Sequence, residues 1–290
     1  MRGTLYKIMS TFIIARLTFR EAASRKILLA ALLLGILFLI VFGVGYHLIL
    51  SELEKEMKVM PSIQHNEISN FLLMAAMYVV NFLTVMMTVL TSVDTLSGEI
   101  SSGTIQTIIA KPIRRGQVVL GKWLGFAVMI TLYMLLMAGG VTALVYIRSG
   151  YLPPNPLQTL GLLMLNAFLL LSVSILGGTR LSTLANGVLV FGLFGVAFIG
   201  GWIEQIGSFL PDAATSQAAT NVGIVTSLIL PSEALWRRAA HEMQSPLVNA
   251  MGFSPFAAST YPSNIMILYA GLFTAACLLL AVRLFSRRDL

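Results

Sequence analysis

The stretch Ile27-Leu-Leu-Ala-Ala-Leu-Leu-Leu-Gly-Ile-Leu-Phe-Leu-Ile-Val-Phe-Gly-Val-Gly-Tyr-His-Leu-Ile49 contains no Asp, Glu, Lys or Arg. A hydrocarbon core about 30 Å thick takes roughly 20 apolar residues in helix to cross. Lipid supplies no hydrogen bonds, so a crossing backbone must satisfy its own N–H and C=O groups, and a helix does this within one segment. Residues 27–49 therefore predict a membrane-spanning helix. Five further segments pass the same test: 71–93, 122–147, 159–178, 185–203 and 263–282. Lys122, at the start of the third, is the one charge any of them includes.

The composition agrees. Of 290 residues, 57% are hydrophobic and 11% charged, with a mean hydropathy of +0.86. One soluble core could not hide that much apolar surface, whereas a bilayer removes the need. The net charge of +7 would suggest nucleic acid if its basic residues formed a patch. They fall instead in short clusters between apolar runs, as topology signals do. The one cysteine, Cys277, excludes an intrachain disulfide and a thiolate metal cluster. The N-terminus reads as a retained anchor: the apolar run is too long for a signal-peptide core, and no Ala-x-Ala-like site follows it.

Orientation follows from the basic residues. Placing the N-terminus inside puts Arg2, Lys7, Arg16, Arg20, Arg25, Lys26, Lys111, Arg114, Arg115, Lys122, Arg180, Arg283, Arg287 and Arg288 on the cytoplasmic side. It leaves Lys55, Lys58, Arg148, Arg237 and Arg238 outside. Both termini are then cytoplasmic.

Four segments are too polar or too interrupted to span. Residues 4–24 read as an amphipathic interfacial helix. Its apolar stripe is Leu5, Ile8, Met9, Phe12, Ala15 and Phe19, with Lys7, Ser10, Thr11, Thr18 and Glu21 opposite, and its basic residues lie near lipid headgroups. Residues 50–70 form an external loop, helical around Ser51–Met60. Residues 96–116 form the longest cytoplasmic connection between spans. Residues 204–262 are an external connection with a short apolar piece, Val222–Leu230, ended by Pro231. Ser232 is then an N-cap and Glu233 an i,i+4 partner for Arg237. This reads as a re-entrant half-helix followed by an interfacial helix carrying Trp236. No repeat or long linker divides the chain, so residues 1–290 form one membrane domain.

Ion-driven transporters need ionisable groups facing a cavity at membrane depth. Asn81, Thr84, Asn166, Ser172 and Ser174 are polar but do not titrate, so a driving force from a partner is expected. Gly116-Gln-Val-Val-Leu-Gly-Lys122 matches the first seven positions of a P-loop. Trp123 stands where Ser or Thr should reach magnesium, and the stretch enters a span instead of following a buried strand. It is read as a helix-packing motif, with Gly121 and Gly125 admitting a close neighbour and Lys122 and Trp123 suited to the interface. The glycines Gly187, Gly192, Gly195, Gly200 and Gly201 also suggest close contact or local flexibility. Met57, Met60 and His65 on the external loop, with His47 just before it, are soft copper(I) ligand types, but three ligands scattered over a loop are read as coincidence, and no metal is assigned. No Gly-x-Ser-x-Gly occurs.

Residues 94–125 read Asp94-Thr-Leu-Ser-Gly-Glu-Ile-Ser-Ser-Gly-Thr-Ile-Gln-Thr-Ile-Ile-Ala-Lys-Pro-Ile-Arg-Arg-Gly-Gln-Val-Val-Leu-Gly-Lys-Trp-Leu-Gly125. This resembles the permease subunits of type-two, exporter-class ATP-binding-cassette (ABC) transporters, in the branch containing the permease for nitrous-oxide-reductase maturation. The family pattern G-E-x-x-x-G-T, an apolar helix, P-x-x-R and G-K falls on Gly98, Glu99, Gly103, Thr104, then Ile105, Ile108 and Ile109, then Pro112 and Arg115, then Gly121 and Lys122. The segment Ile14-Ala-Arg-Leu-Thr-Phe-Arg-Glu-Ala22 and the ending Arg283-Leu-Phe-Ser-Arg-Arg-Asp-Leu290 are also similar.

The resemblance implies an all-α integral membrane protein with six transmembrane helices, the N-terminal interfacial helix, a cytoplasmic coupling helix and a re-entrant external segment before the last helix. It implies that Gly98, Glu99, Gly103, Thr104, Ile105, Ile108, Ile109, Pro112 and Arg115 couple to an ATPase. Phe12, Arg16, Phe19 and Arg20 then belong to the interfacial helix. It implies two copies of a separate ATPase holding ATP and magnesium, a second permease copy as homodimer or heterodimer, lipid but no nucleic acid as surroundings, and a prokaryotic plasma membrane. The permease itself would have no catalytic site and no cofactor. A short helix between Gly103 and Pro112 would present Ile105, Ile108 and Ile109 to a cleft on that ATPase, with Glu99 favoured near a helix start and paired with a basic residue of the N-terminal helix. The rival readings are a secondary transporter and a non-transporting anchor or assembly subunit.

Overall fold

The computed structural model describes residues 2–56, 62–104, 114–247 and 261–288, and of residues 2–10 and 62 the backbone alone. The described elements are helices: α1 (Arg2–Ser24), α2 (Lys26–Glu56), α3 (Ser62–Ser92), α4 (Asp94–Ser101), α5 (Arg115–Ser149), α6 (Pro156–Gly178), α7 (Thr183–Gly207), α8 (Ala213–Ile229), α9 (Ser232–Met243) and α10 (Asn264–Ser286). Six of them, α2, α3, α5, α6, α7 and α10, are long and apolar enough to cross a membrane. The chain is a multi-pass membrane protein.

Local chemistry sets the helix ends. Pro156 opens α6, where its missing N–H costs nothing. Ser182 and Asp212 accept from the backbone N–H of Ala185 and Thr215 at the starts of α7 and α8. Gly150, at φ 68°, closes α5 in the left-handed conformation that glycine adopts without penalty. The helices outrun the apolar runs that signal them. α2 continues to Glu56 and α3 begins at Ser62, because a helix needs only backbone partners once it leaves hydrocarbon.

The core lies between α3, α5 and α6, where Val80, Ile130, Met134, Met137, Leu163 and Leu170 are fully buried. α2 and α10 stand outside it and expose Leu33, Val41, Leu272 and Leu279, faces suited to lipid. Polar side chains tie the core helices together. Asn166 donates to Asn81 at 3.0 Å, Ser92 to Ser174 at 2.7 Å, and Trp123 to Ser172 at 2.9 Å. Without a hydrophobic force between helices in lipid, such bonds and close packing hold a bundle.

Alternation along the chain gathers the junctions α1–α2, α3–α4 and α6–α7, the start of α5 and the end of α10 at one end, called the near end. At the opposite, far end, α8 runs back along α7, so that Thr226 reaches the level of Gly200. The chain then turns by 110° into α9. Along α9, Trp236 stacks edge-on to Tyr78, while the Met243 carbonyl accepts from Asn70, farther out on α3. The pair dips in and returns, so the re-entrant segment is present. It differs in detail from the sequence reading. α9 does not lie in an interface: Trp236 is buried, and Arg237 pairs with Glu204 in place of Glu233, because Glu204 on α7 faces it directly.

α1 packs on α5 and leaves Phe12 of its apolar stripe outward, as an interfacial helix would. Ile14, Thr18 and Ala22 are buried, while Phe12 is 72% exposed and Leu17 60%. Hydroxyl and small side chains let the α1 backbone approach α5 closely, leaving the bulky apolar residues for the surroundings.

Candidate functional site

The near end brings together many of the residues singled out from sequence. α4 continues α3 past a turn at Val93 and ends at Ser101, and two residues on, Gly103, at φ 72°, lies in the left-handed region. Ser101 and Ser102 fold their hydroxyls back onto the carbonyls of Gly98 and Glu99, and Ser102 also meets the Thr104 hydroxyl at 2.9 Å. At Gly98 a Cβ would collide with the Asp94 carboxylate, so the glycine makes room for Asp94 to fold against its own helix. The candidate helix residues Ile105, Ile108, Ile109 and Pro112 lie outside the described residues.

Glu99 meets a lysine of α5, not a residue of α1: the Lys122 ammonium donates to its carboxylate at 2.5 Å, both side chains largely buried. A buried ammonium is tolerable only with such a partner. The pairing also explains how a cation sits at the head of an apolar helix. Immediately before Lys122 and three residues after it, Gly121 and Gly125 hold α1. A Cβ at Gly121 would meet the Ile14 side chain and the Thr11 carbonyl, and one at Gly125 the Ala15 carbonyl and Thr18. The whole segment Gly116–Trp123 is continuous helix, which leaves no loop to cradle phosphate.

Four residues that the sequence reading did not single out, Asp94, Ser97, Thr183 and Asn186, complete the junction. Asp94 lies 3.5 Å from the Arg25 guanidinium at the α1–α2 junction and accepts from the Thr183 hydroxyl at 2.9 Å. Ser97 shares a 2.9 Å hydrogen bond with the same Thr183. Asn186 donates to the carbonyls of Val93 and Ser174, filling space left by Gly177. The glycine pair Gly177-Gly178 was the available signal, since adjacent glycines late in a span mark a close approach. Arg115 donates to the Arg288 carbonyl, and Arg288 in turn to the Thr179 carbonyl. Arg16 and Arg20 project outward from α1, and Phe19 packs partly against the core.

The far end holds a second charged cluster. Arg237 and Glu204 are 2.5 Å apart, and Arg237 also donates to the Ser227 hydroxyl at 3.3 Å. Glu233 is buried beside them against Gly201, and Glu204 against Gly223. Ionisable groups are thus buried between helices near the far end of α7. Glu204 falls just past the apolar run of its helix, and only the returning α8–α9 pair buries it. Nearer the surface, Arg148 joins Glu54 at 2.8 Å and the His47 ring nitrogen at 3.3 Å. Among the described residues no group of three or more His, Cys, Asp or Glu is placed to hold a metal, and Met57 and Met60 lie outside them.

Residues 12–290 match the family described as ABC-2 family transporter protein. No curated protein shows significant similarity to the chain. A match over nearly the whole length, on an all-helical chain with six candidate spans, shows that this protein belongs to the ABC-2 family of transporter membrane proteins, the permease components that associate with ABC ATPases.

Proposed function

We propose that the chain is the permease of an ATP-driven exporter, working as a pair of permeases with two copies of a separate ATPase. Its termini lie in the cytoplasm of a prokaryotic cell. Closure of the ATPases pushes on residues 98–115 and on α1, and the push passes into α5 and the α6–α7 turn to rock the spans. The relation of residues 94–125 to the nitrous-oxide-reductase-maturation branch belongs to the same proposal. ATP and magnesium stay on the partner, and the permease carries no cofactor of its own.

The observation that supports this reading is the way α4 is held. Its first turn bonds to Arg25 and Thr183, its last turn to Lys122, and its chain leaves through Gly103 towards the segment with Ile105, Ile108 and Ile109. A lever must be stiff at its root, and this root is braced by three elements. Replacing Ile108→Asp should leave the permease inserted in the membrane while abolishing stimulated ATP turnover in the reconstituted complex. Normal assembly and turnover of that variant would overturn the coupling role, as would ATP hydrolysis by the lone permease.

A further inference from the structure

A cavity of about 340 Å³ opens on the side of the bundle between α5, α6 and the end of α9. That lies within the roughly 300–1,000 Å³ of small-molecule sites. Small residues make it: Ala138, Gly139 and Ala143 leave a dent in α5, which Leu160 and Leu163 of α6 face and Met243 closes at one end. Its lip is apolar and open, with Leu157 82% exposed.

The wall offers little to a polar guest. The Thr142 hydroxyl donates to the Ala138 carbonyl at 2.8 Å, and the Thr159 hydroxyl to the Asn155 carbonyl at 3.0 Å. Water does not fill an apolar cavity without polar partners. The medium at the mouth is set by depth. Ala138 lies about 16 Å before the end of α5 at Ser149, at 1.5 Å per residue. The 35 residues of α5 exceed the roughly 20 that hydrocarbon requires. The dent therefore opens into the far-end leaflet, with the half-exposed Tyr146 towards headgroup level, where such rings concentrate.

We propose that this cavity binds one acyl chain of a membrane phospholipid. The chain fills space that the protein leaves empty, and it touches α5, α6 and the last residue of the re-entrant pair together. A tenant held on three sides exchanges more slowly than annular lipid and stays through mild extraction. The site is independent of the pump reading, since nothing in it depends on ATP.

The test uses the full-length permease purified in mild detergent without added lipid, with bound phospholipid extracted and counted by mass spectrometry. A Cβ at Gly139 meets no atom within 4 Å, and Gly139 lines the cavity, so Gly139→Phe should place its ring in that space. Gly161 is equally open but lies outside the wall, which makes Gly161→Phe the control. The native chain and the control should each retain about one phospholipid per chain, and Gly139→Phe at least about tenfold less. Ala143→Phe carries the same expectation should Gly139→Phe fail to fold. Adding phospholipid back should raise the thermal midpoint of the native chain and the control but not of the filled variants. Equal retention in all four proteins, no retained phospholipid in the native chain, or recovery of a different apolar compound in its place would overturn the proposal.

Discussion

Two ion pairs brace the two ends of the bundle, and their surroundings differ. At the near end Lys122 and Glu99 are 3% and 13% exposed, and at the far end Arg237 and Glu204 are 7% exposed each. The near pair joins one cation to one carboxylate, and the polar groups around it reach out to α1, α2 and α7, ending in Asp94, which is half exposed. The far pair is enclosed. Gly200, Gly201 and Gly223 press Thr226, Glu233 and Glu204 against backbone, and a second carboxylate shares the space. The near end thus joins several helices through partly exposed polar groups, and the far end is a clasp holding one hairpin in place.

Removing one partner should therefore cost most at the clasp. Arg237→Ala leaves buried carboxylate without its cation, and a loss of about 3–5 kcal/mol is expected. Hydrogen exchange of α8 and α9 should rise sharply in the variant, and unchanged protection would show that packing alone holds the hairpin. Lys122→Met should cost less, about 1–3 kcal/mol, because it leaves one carboxylate without its cation where the clasp leaves two. Its effect on ATPase stimulation should exceed its effect on the melting temperature, and the reverse order would make the near pair a mere structural tie. Arg25→Ala should cost least, about 0.2–1 kcal/mol, as exposed pairs do. A larger drop in a melting curve would mean that Asp94 is more enclosed than its neighbours indicate.

Much of this architecture is legible without coordinates. The apolar runs mark all six spans because lipid punishes any charge within them. Gly121 and Gly125 announce a close helix neighbour, since nothing larger would admit one, and α1 is that neighbour. The pairings are less legible. Glu233 and Arg237 stand at i,i+4, a spacing that favours contact on an isolated helix, but burial against α7 turns Arg237 to Glu204, 33 positions away in the chain. α1 shows the same limit. Read alone, its stripe gives a face for the membrane interface but not the one that meets α5, which is formed by Ile14, Thr18 and Ala22. Local periodicity registers what water or lipid would prefer. It does not register which neighbour arrives.

The hydroxyls along α3 carry one more consequence. Thr84, Thr88 and Thr91 each donate to the carbonyl four residues earlier in their own helix. Each has spent its proton locally, so this stripe, polar in letters, behaves towards a passing molecule much as alanine or valine would. A hydrophilic molecule passing along that stripe would gain no donor from these hydroxyls.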